Sequence, residues 1–364
     1  MGILGSVGSC GGPTAPPAME VPVVAAPVQA APVAAPVAAP VAPVQSWVDA
    51  DLAGRGAWGG FRDDARVLVA SERRGEGNSL AEHDAATGQR TTTIVTPTWA
   101  GPPAAYSATT QTLAFCTEEA VIVRSLVDGK ERTIAAALPD ELAFSPAGDR
   151  LAITWSEPGI AARVEVFVVA DGKRIARAFP FGARRLDYDS GTRVAVAFVG
   201  GAERLALQLA SDTPAYATLA VGAVPAKRWT LRSLRSTEED EFGGMAASLG
   251  QALAVSPDGS WLAVGNFEKR ALLLAPTLQG EPVALPGTAI ATALAFVPDG
   301  TLVAAAGEDG PLRLYAVPAG TLRAQAEAPR QCQSLAVSPD GRRIAGGCDG
   351  TLRIWDVPAM LAAR

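Results

Sequence analysis

The chain has 364 residues, of which 48% are hydrophobic and 19% are charged, proportions that are typical of a globular protein with a substantial core. Its net charge of −6 supplies no cationic field that would gather phosphates, so we expect no nucleic-acid partner. One histidine and four cysteines are too few for a histidine metal cluster or a disulfide scaffold, and we predict no catalytic, metal or cofactor site.

An Ala/Pro/Val-rich segment opens the chain. Nine prolines and a single charge, that of Glu20, lie between residues 11 and 45. The segment is apolar enough for a membrane span, but each proline removes a backbone donor and clashes with a helical turn. We therefore predict that residues 1–46 form a disordered spacer, whose polyproline-like part extends roughly 100 Å at about 3.1 Å per residue.

The first ten residues, MGILGSVGSC, resemble two kinds of lipid-attachment signal. The tetrapeptide VGSC, which ends at Cys10, resembles the lipobox of bacterial lipoproteins, and this resemblance requires a signal peptide that starts upstream of Met1. Met-Gly at the start with Ser6 fits the N-myristoylation pattern, with Cys10 as a second acylation site. The lipobox resemblance implies lipidation at Cys10 and a location in the cell envelope. With either signal, the protein contacts the membrane only through its lipid anchor. An unmodified terminus and a cytoplasmic location are the alternatives.

A turn motif of the Ser-Pro-Asp-Gly type recurs along the second half of the chain. Its prolines are Pro257, Pro298 and Pro339, which are 41 residues apart each time, and residues 145–148 (SPAG) are a looser, earlier copy. Proline at the second position and glycine at the fourth are preferences of type I turns. A period near 40 with strands inside it is typical of the blades of a β-propeller.

A strand of small apolar residues follows each turn, and degenerate copies bring the number of such strands to seven. They begin at Arg66, Leu113, Leu151, Val194, Leu262, Leu302 and Ile344. Turns of the Asp-Gly-Lys kind should join the third strand of a blade to the fourth. The spacing from Val194 to Leu262 exceeds one period by about 27 residues, and we place these as an insertion at 223–250, although a strand near Tyr216 leaves its position open.

These patterns predict an all-β protein in which residues 47–364 form a seven-bladed β-propeller. The last blade would lack its outermost strand, because the chain ends soon after the third strand at Trp355-Asp356. A strand around residues 46–52 can complete it, with Trp47 as a buried anchor, so that the ring closes without an unpaired edge. We expect this propeller to be monomeric.

Residues 346–357, GGCDGTLRIWDV, resemble the end of a WD40 repeat, with Trp355-Asp356 as the signature pair. The last three blades carry the resemblance, whereas the first four share only the period, and the Gly-His dipeptides of the family are absent. Residues 144–157 followed by VADGKR are also similar to TolB-like propellers of the periplasm. The WD40 resemblance implies a platform on which a protein partner docks.

One end of such a ring collects the loops between second and third strands and the links between blades. Large aromatic and basic residues, which dominate protein interfaces, fall at this loop-rich end. We predict a partner-binding face made of Arg73, Arg74, Trp99, Trp155, Trp229 and Phe267. For Trp99 and Trp155 the alternative is that they cover the core between blades. The charged segment from Lys227 to Phe242 is interpreted as a solvated loop, with a docking element as the alternative.

Three cysteines also fall at the loop-rich end. Cys332 begins one strand and Cys348 ends its hairpin neighbour, so the two should lie close together, and an oxidising compartment would permit a disulfide. Buried roles as small hydrophobic residues are the alternative for this pair and for Cys116. His83 directly precedes a turn and is predicted to lie at the surface.

The leading functional hypothesis is a non-enzymatic scaffold for protein–protein interaction, displayed on a long tether. Some propellers carry a catalytic or ligand site in the central channel, so a propeller enzyme or a small-ligand sensor is the alternative. The sequence contains no Gly-x-Ser-x-Gly nucleophile elbow.

Overall fold

The fold was determined from a computed structural model. It describes residues 45–47, 58–73, 77–95, 99–136, 139–157, 160–180, 193–201, 203–210, 218–223, 229–233, 252–266, 271–277, 280–287, 291–307, 310–329, 332–348 and 351–363. The N-terminal segment up to residue 44, including Cys10, lies outside this described part.

The described residues form seven four-stranded antiparallel sheets, numbered here in chain order. The first four sheets comprise β2 (Trp58–Asp63), β3 (Arg66–Arg73), β4 (Gly77–Asp84), β5 (Arg90–Val95); β6 (Trp99–Ser107), β7 (Thr112–Thr117), β8 (Ala120–Ser125), β9 (Glu131–Ala136); β10 (Glu141–Phe144), β11 (Arg150–Glu157), β12 (Ile160–Val168), β13 (Arg174–Ala178); and β14 (Arg193–Phe198), β15 (Arg204–Ala210), β16 (Thr218–Ala223), β17 (Trp229–Ser233).

The last three sheets follow the same order, except that the first strand of the chain completes the seventh sheet. They comprise β18 (Leu253–Val255), β19 (Trp261–Asn266), β20 (Ala271–Pro276), β21 (Val283–Leu285); β22 (Ala291–Phe296), β23 (Leu302–Gly307), β24 (Leu312–Ala316), β25 (Leu322–Ala326); and β26 (Cys332–Val337), β27 (Arg343–Cys348), β28 (Thr351–Asp356), β1 (Gln45–Trp47).

The Pro-Asp-Gly motifs are the turns between the first and second strands of their sheets, as predicted. The Gly259 N–H donates to the Ser256 carbonyl at 2.8 Å, and the Gly341 N–H donates to the Ser338 carbonyl at 2.8 Å. Gly341 has a φ of 73°, a conformation that residues with a side chain rarely adopt. The repeated glycine therefore fixes the same hairpin in successive sheets.

The second strands form the core of the ring because their residues are covered on both faces. The second residue of each second strand is apolar and almost completely buried, which applies to Val67, Leu113, Leu151, Leu205, Leu262, Val303 and Ile344. Continuous runs of small apolar residues suit such two-sided burial better than strict alternation does.

The fourth sheet differs from the sequence interpretation. The strand that begins near Val194 is β14, the first strand of this sheet, and the second strand is β15. The predicted insertion at 223–250 includes β17, so residues 229–233 belong to the sheet, while most of the rest of that range lies outside the described part. The error arose because β15 (RLALQLA) follows a turn without the Pro-Asp-Gly motif.

A hydrophobic cluster lies between each sheet and the next, and one of these clusters joins the end of the ring to its beginning. Phe61 and Val67 of the first sheet pack there with Ala345 and Ile354 of the seventh. The Asp340 N–H also donates to a carboxylate oxygen of Asp64 at 2.9 Å. The ring is therefore closed, and the prediction of an all-β β-propeller is confirmed.

The closing strand β1 pairs antiparallel with β28, with Ser46 opposite Arg353 and Trp47 opposite Leu352. It supplies the fourth strand that the seventh sheet would otherwise lack. The side chain of Trp47 lies outside the described part, so its role as a buried anchor stays a prediction.

A short helix that the sequence analysis did not predict, α1 (Val357–Ala362), follows β28. The Ala359 N–H donates to a carboxylate oxygen of Asp356 at 2.7 Å, so Asp356 is the N-cap of this helix. Met360 is buried in the cluster between the sixth and seventh sheets. Within the described residues no helix has the length and hydropathy of a membrane span.

Candidate interaction surface

One position on the third strand of each sheet corresponds to Trp355, the tryptophan of the Trp-Asp signature pair. The residue opposite the second residue of the second strand is His83, Arg124, Phe167, Gly222, Ala275, Tyr315 or Trp355, from the first sheet to the seventh. In the last two sheets its ring is fully buried and donates a hydrogen bond to a backbone carbonyl in the link that leads into the same sheet: the Tyr315 hydroxyl to Pro286 at 2.6 Å, the Trp355 Nε1–H to Glu327 at 3.0 Å. This position therefore supports packing between sheets.

His83 occupies this position in the first sheet. Its side chain is buried, and its Nδ1 lies 3.1 Å from the carbonyl oxygen of Gly88. The prediction that His83 lies at the surface is therefore wrong. The turn that the sequence indicated is formed by the residues that follow His83, whereas the His83 side chain itself points into the core.

Trp229 lies next to the hairpin between β16 and β17, so it is at the hairpin end of the fourth sheet and not at the loop-rich end. A Cβ on Gly222 would come within 2.5 Å of the Trp229 ring. The ring thus covers the glycine at the position where the third, sixth and seventh sheets have Phe167, Tyr315 and Trp355, and it packs against the cluster between the third and fourth sheets. Its predicted place in a loop-rich docking face is not supported.

Trp155 lies at the loop-rich end of β11 but is only 5% exposed. It packs between the second and third sheets with Cys116 and Ile134. The guanidinium carbon of Arg163 lies 4.4 Å from the centre of the Trp155 ring, a cation–π arrangement. Trp155 therefore covers the core between blades, which was the alternative.

The remaining predicted face residues are not described at the level of side chains. Arg73 ends β3 and Trp99 begins β6, both at the loop-rich end, but their side chains lie outside the described part. Arg74 and Phe267 lie outside it altogether. Their part in partner binding stays a prediction.

A group of arginines on the two outer strands of the third sheet forms the candidate site. The carboxylate of Glu165, which is almost buried, lies 3.2 Å from an Arg174 nitrogen, 3.4 Å from Arg177 Nε and 3.8 Å from Arg163 Nε. The side chains of Arg174 and Arg177 are 50% and 46% exposed. We call Arg163, Glu165, Arg174, Arg177 and Phe179 the arginine surface.

A β-bulge brings these arginines together. Arg177 is opposite Glu165 and Arg174 is opposite Phe167, with an irregularity between Val166 and Phe167. In a regular strand, residues three apart point to opposite faces. The extra residue at the bulge places Arg174 and Arg177 on the same face of the sheet.

Phe179 extends the arginine surface with an apolar group. It is 41% exposed, and the Arg177 guanidinium carbon lies 5.4 Å from the centre of its ring. Among the residues whose burial the structure describes, Phe179 and Val127 are the large hydrophobic side chains that stay exposed. Arginine beside an exposed aromatic ring is a composition that is enriched at protein interfaces.

Within the described part of the chain, cations outnumber carboxylates in the arginine surface, in contrast to a second ionic cluster on the first sheet. There the buried carboxylate of Glu82 binds Arg62 and lies 3.8 Å from Arg66, which itself binds Asp63. Two cations thus meet two carboxylates. Among the described residues, the arginine surface combines three guanidinium groups with one carboxylate, and the side chains of Arg174 and Arg177 are about half exposed.

The hairpin end of the ring uses its polar groups for its own turns. The Ser256 and Ser260 hydroxyls donate to the Asp258 carboxylate at 2.5 and 2.6 Å, and these bonds lower the pKa of Asp258 to about 2. Neighbouring turns are in contact as well, since the Thr109 hydroxyl donates to the Pro146 carbonyl at 3.0 Å. These polar groups therefore stabilise the turns and the contacts between neighbouring turns.

Cys332 and Cys348 lie directly opposite each other on β26 and β27, and the structure joins their sulfur atoms as a disulfide. Both residues are fully buried in the cluster between the sixth and seventh sheets. Cys116 is a buried thiol, and burial together with the nearby Glu141 raises its pKa to about 12. Cys116 thus has the buried role that was considered for it.

We expect a Cys10→Ser variant to show no reactive thiol in its native state at pH 8, because Cys116 is buried and protonated there. In denaturant without a reductant it should show one thiol, and after reduction it should show three. Titration with a thiol-specific chromogenic reagent measures these numbers. Three thiols without reduction would contradict the disulfide.

The comparisons with known proteins agree with this architecture. The family model described as "WD domain, G-beta repeat" matches residues 318–356, the end of the sixth sheet and the part of the seventh up to β28. No curated protein matches the chain.

Solved structures are similar over most of the chain at low sequence identity. "Structure of U3-55K" has a TM-score of 0.64 and 15% identity, and the match covers 88% of this chain and 100% of that one. "Crystal structure of RRP9 WD40 repeats" has a TM-score of 0.63 and 16% identity, with 88% and 99% covered. A chain of "Crystal Structure of Mitotic Checkpoint Complex" has a TM-score of 0.63 and 16% identity, with 93% and 99% covered.

These structural matches extend around the ring, whereas the sequence match is confined to its last two sheets. The burial of Trp355 and the helix cap formed by Asp356 account for the signature pair in the seventh sheet. The fold of this chain is a β-propeller, and it is similar to those of WD40 repeat proteins.

Proposed function

We propose that this protein is a non-catalytic scaffold for protein–protein interaction, in which the propeller docks a protein partner. The arginine surface carries the proposal, because its two half-exposed arginines and Phe179 are not needed to close the ring. The WD40 type of fold supports it, and one similar chain comes from a structure whose title names a protein complex. Fold alone does not define a partner, so the argument rests on the surface.

Reconstitution of a complex tests this proposal. Affinity capture with the full chain identifies candidate partners, and each candidate is then purified and mixed with the chain. We expect at least one of them to form a stoichiometric complex in analytical ultracentrifugation. If no captured protein reforms a complex with the purified chain, the scaffold proposal is wrong.

We propose in addition that the N-terminal segment tethers the propeller to the cell envelope through a lipid on Cys10. The proline-rich sequence of residues 11–45 and the lipobox-like VGSC support this proposal. Mass spectrometry of the N-terminal peptide from native cells tests it. Acylated Cys10 is expected, and an unmodified Cys10 in that peptide would contradict the anchor.

A further inference from the structure

We infer that the arginine surface binds an acidic segment of a partner protein, in which carboxylates flank an apolar side chain. This inference rests on the proposed scaffold function and adds the place and the chemistry of docking. The place is the two outer strands of the third sheet, and it reaches the loop-rich end, because Arg163 is opposite Trp155 and Phe179 directly follows β13.

The first argument is the cost of burying Glu165. A nearly buried carboxylate requires compensation by a cation, and one well-placed arginine can supply it. Three arginines lie within 4 Å of Glu165. Within the described part of the chain, Glu165 is the carboxylate that Arg174 and Arg177 share, so most of their hydrogen-bonding capacity faces solvent. Each guanidinium has five N–H donors in a fork that matches a carboxylate.

The second argument is local charge. The chain as a whole has a net charge of −6, which would repel an acidic partner at long range. Exposed charges more than about 8–10 Å apart are largely screened at physiological ionic strength. Of the described charges, the three guanidinium groups and Glu165 are the ones that form the arginine surface, so they act on an acidic segment at short range.

The third argument concerns the apolar part of the partner. Phe179 lies beside Arg177 and leaves 41% of its surface exposed. An apolar side chain that covers this ring would remove it from water and would exclude water from the adjacent ion pairs, which strengthens them. A nucleic acid fits this surface less well, because its affinity depends on a longer basic stripe along its phosphates.

Fluorescence anisotropy with a labelled synthetic peptide tests the inference. The probe contains eight acidic residues, Glu or Asp, on the two sides of one central Phe. In the reference peptide every Glu is replaced by Gln and every Asp by Asn. We expect the acidic peptide to bind the full chain at least tenfold more tightly than the amide peptide at 0.05 M salt. The affinity should fall at least tenfold at 0.5 M salt, because the interaction depends on charge.

Variants locate the binding site. Arg174→Gln with Arg177→Gln should weaken binding of the acidic peptide at least tenfold, and Phe179→Ala should weaken it several-fold. Arg163 and Glu165 are retained, so the buried carboxylate keeps one cation. Arg323→Gln with Arg342→Gln is the matched control, since it removes two exposed charges from the sixth and seventh sheets and should change affinity less than twofold. Thermal melting confirms that each variant is folded.

The outcomes separate this inference from the scaffold proposal. Equal binding of the acidic peptide by the wild-type chain and the Arg174→Gln/Arg177→Gln variant overturns the inference. Equal weakening by the control pair also overturns it. The same holds if a phosphopeptide binds the chain and the acidic peptide does not. If the acidic peptide does not bind while a purified partner still forms its complex, the docking inference fails and the scaffold stands. If no partner complex forms, the scaffold proposal itself fails.

Discussion

Replacement of Trp355 by alanine is expected to lower the free energy of unfolding by about 3–5 kcal/mol. The ring is fully buried between the sixth and seventh sheets, where it packs with Leu314 and Ile344. Its removal leaves a cavity, and the Glu327 carbonyl loses the hydrogen bond that Trp355 donates at 3.0 Å. Urea denaturation followed by far-UV circular dichroism measures the change.

Two variants make this result specific. Trp355→Phe keeps most of the ring volume but lacks the N–H, so it should cost about 1–2 kcal/mol. Trp261→Ala is the matched control, because Trp261 is partly buried at the edge of the cluster between the fifth and sixth sheets. A loss for Trp355→Ala no larger than that for Trp261→Ala would show that the signature position does not anchor the ring.

The recurrent features of the fold could be predicted from the sequence because they depend on local chemistry. Ser-Pro-Asp-Gly turns at a period of 41 require proline and glycine at defined positions, and these are visible in the letters. The fourth sheet was harder to recognise, because β15 follows a turn without the Pro-Asp-Gly motif and because two of its residues compensate each other in space. Gly222 takes the aromatic position and Trp229, seven residues later, fills the volume above it. Such an exchange between strands is not visible as a repeat.

The candidate site was less predictable for the same reason. Trp155 and Trp229 have the residue type of an interface, but the fold covers Trp155 and places Trp229 at the hairpin end. Arg174 and Arg177 are three residues apart, which in a regular strand puts them on opposite faces. Only the bulge in the pairing of β12 and β13 brings them to the same face beside Glu165. Exposure and register, not residue type, define this surface.

Removal of β1 is expected to open the ring. Deletion of residues 1–47 takes away the three-residue ladder with Ile354, Arg353 and Leu352. At about 1 kcal/mol net for each backbone hydrogen bond, the free energy of unfolding should fall by about 2–3 kcal/mol. The uncovered edge of β28 also presents unpaired backbone groups, which favour pairing with a second molecule. Thermal melting and size-exclusion chromatography with light scattering measure both effects.

Deletion of residues 1–43 is the control, since it removes the proline-rich segment but retains β1. It should melt at the temperature of the full chain and stay monomeric, because the seventh sheet keeps its fourth strand. If the two truncated proteins are equally stable and equally monomeric, β1 contributes nothing to closure. The ring would then be held by the contact between the first and seventh sheets, in which Phe61 and Val67 pack against Ala345 and Ile354. The comparison therefore assigns closure either to the strand ladder or to side-chain packing.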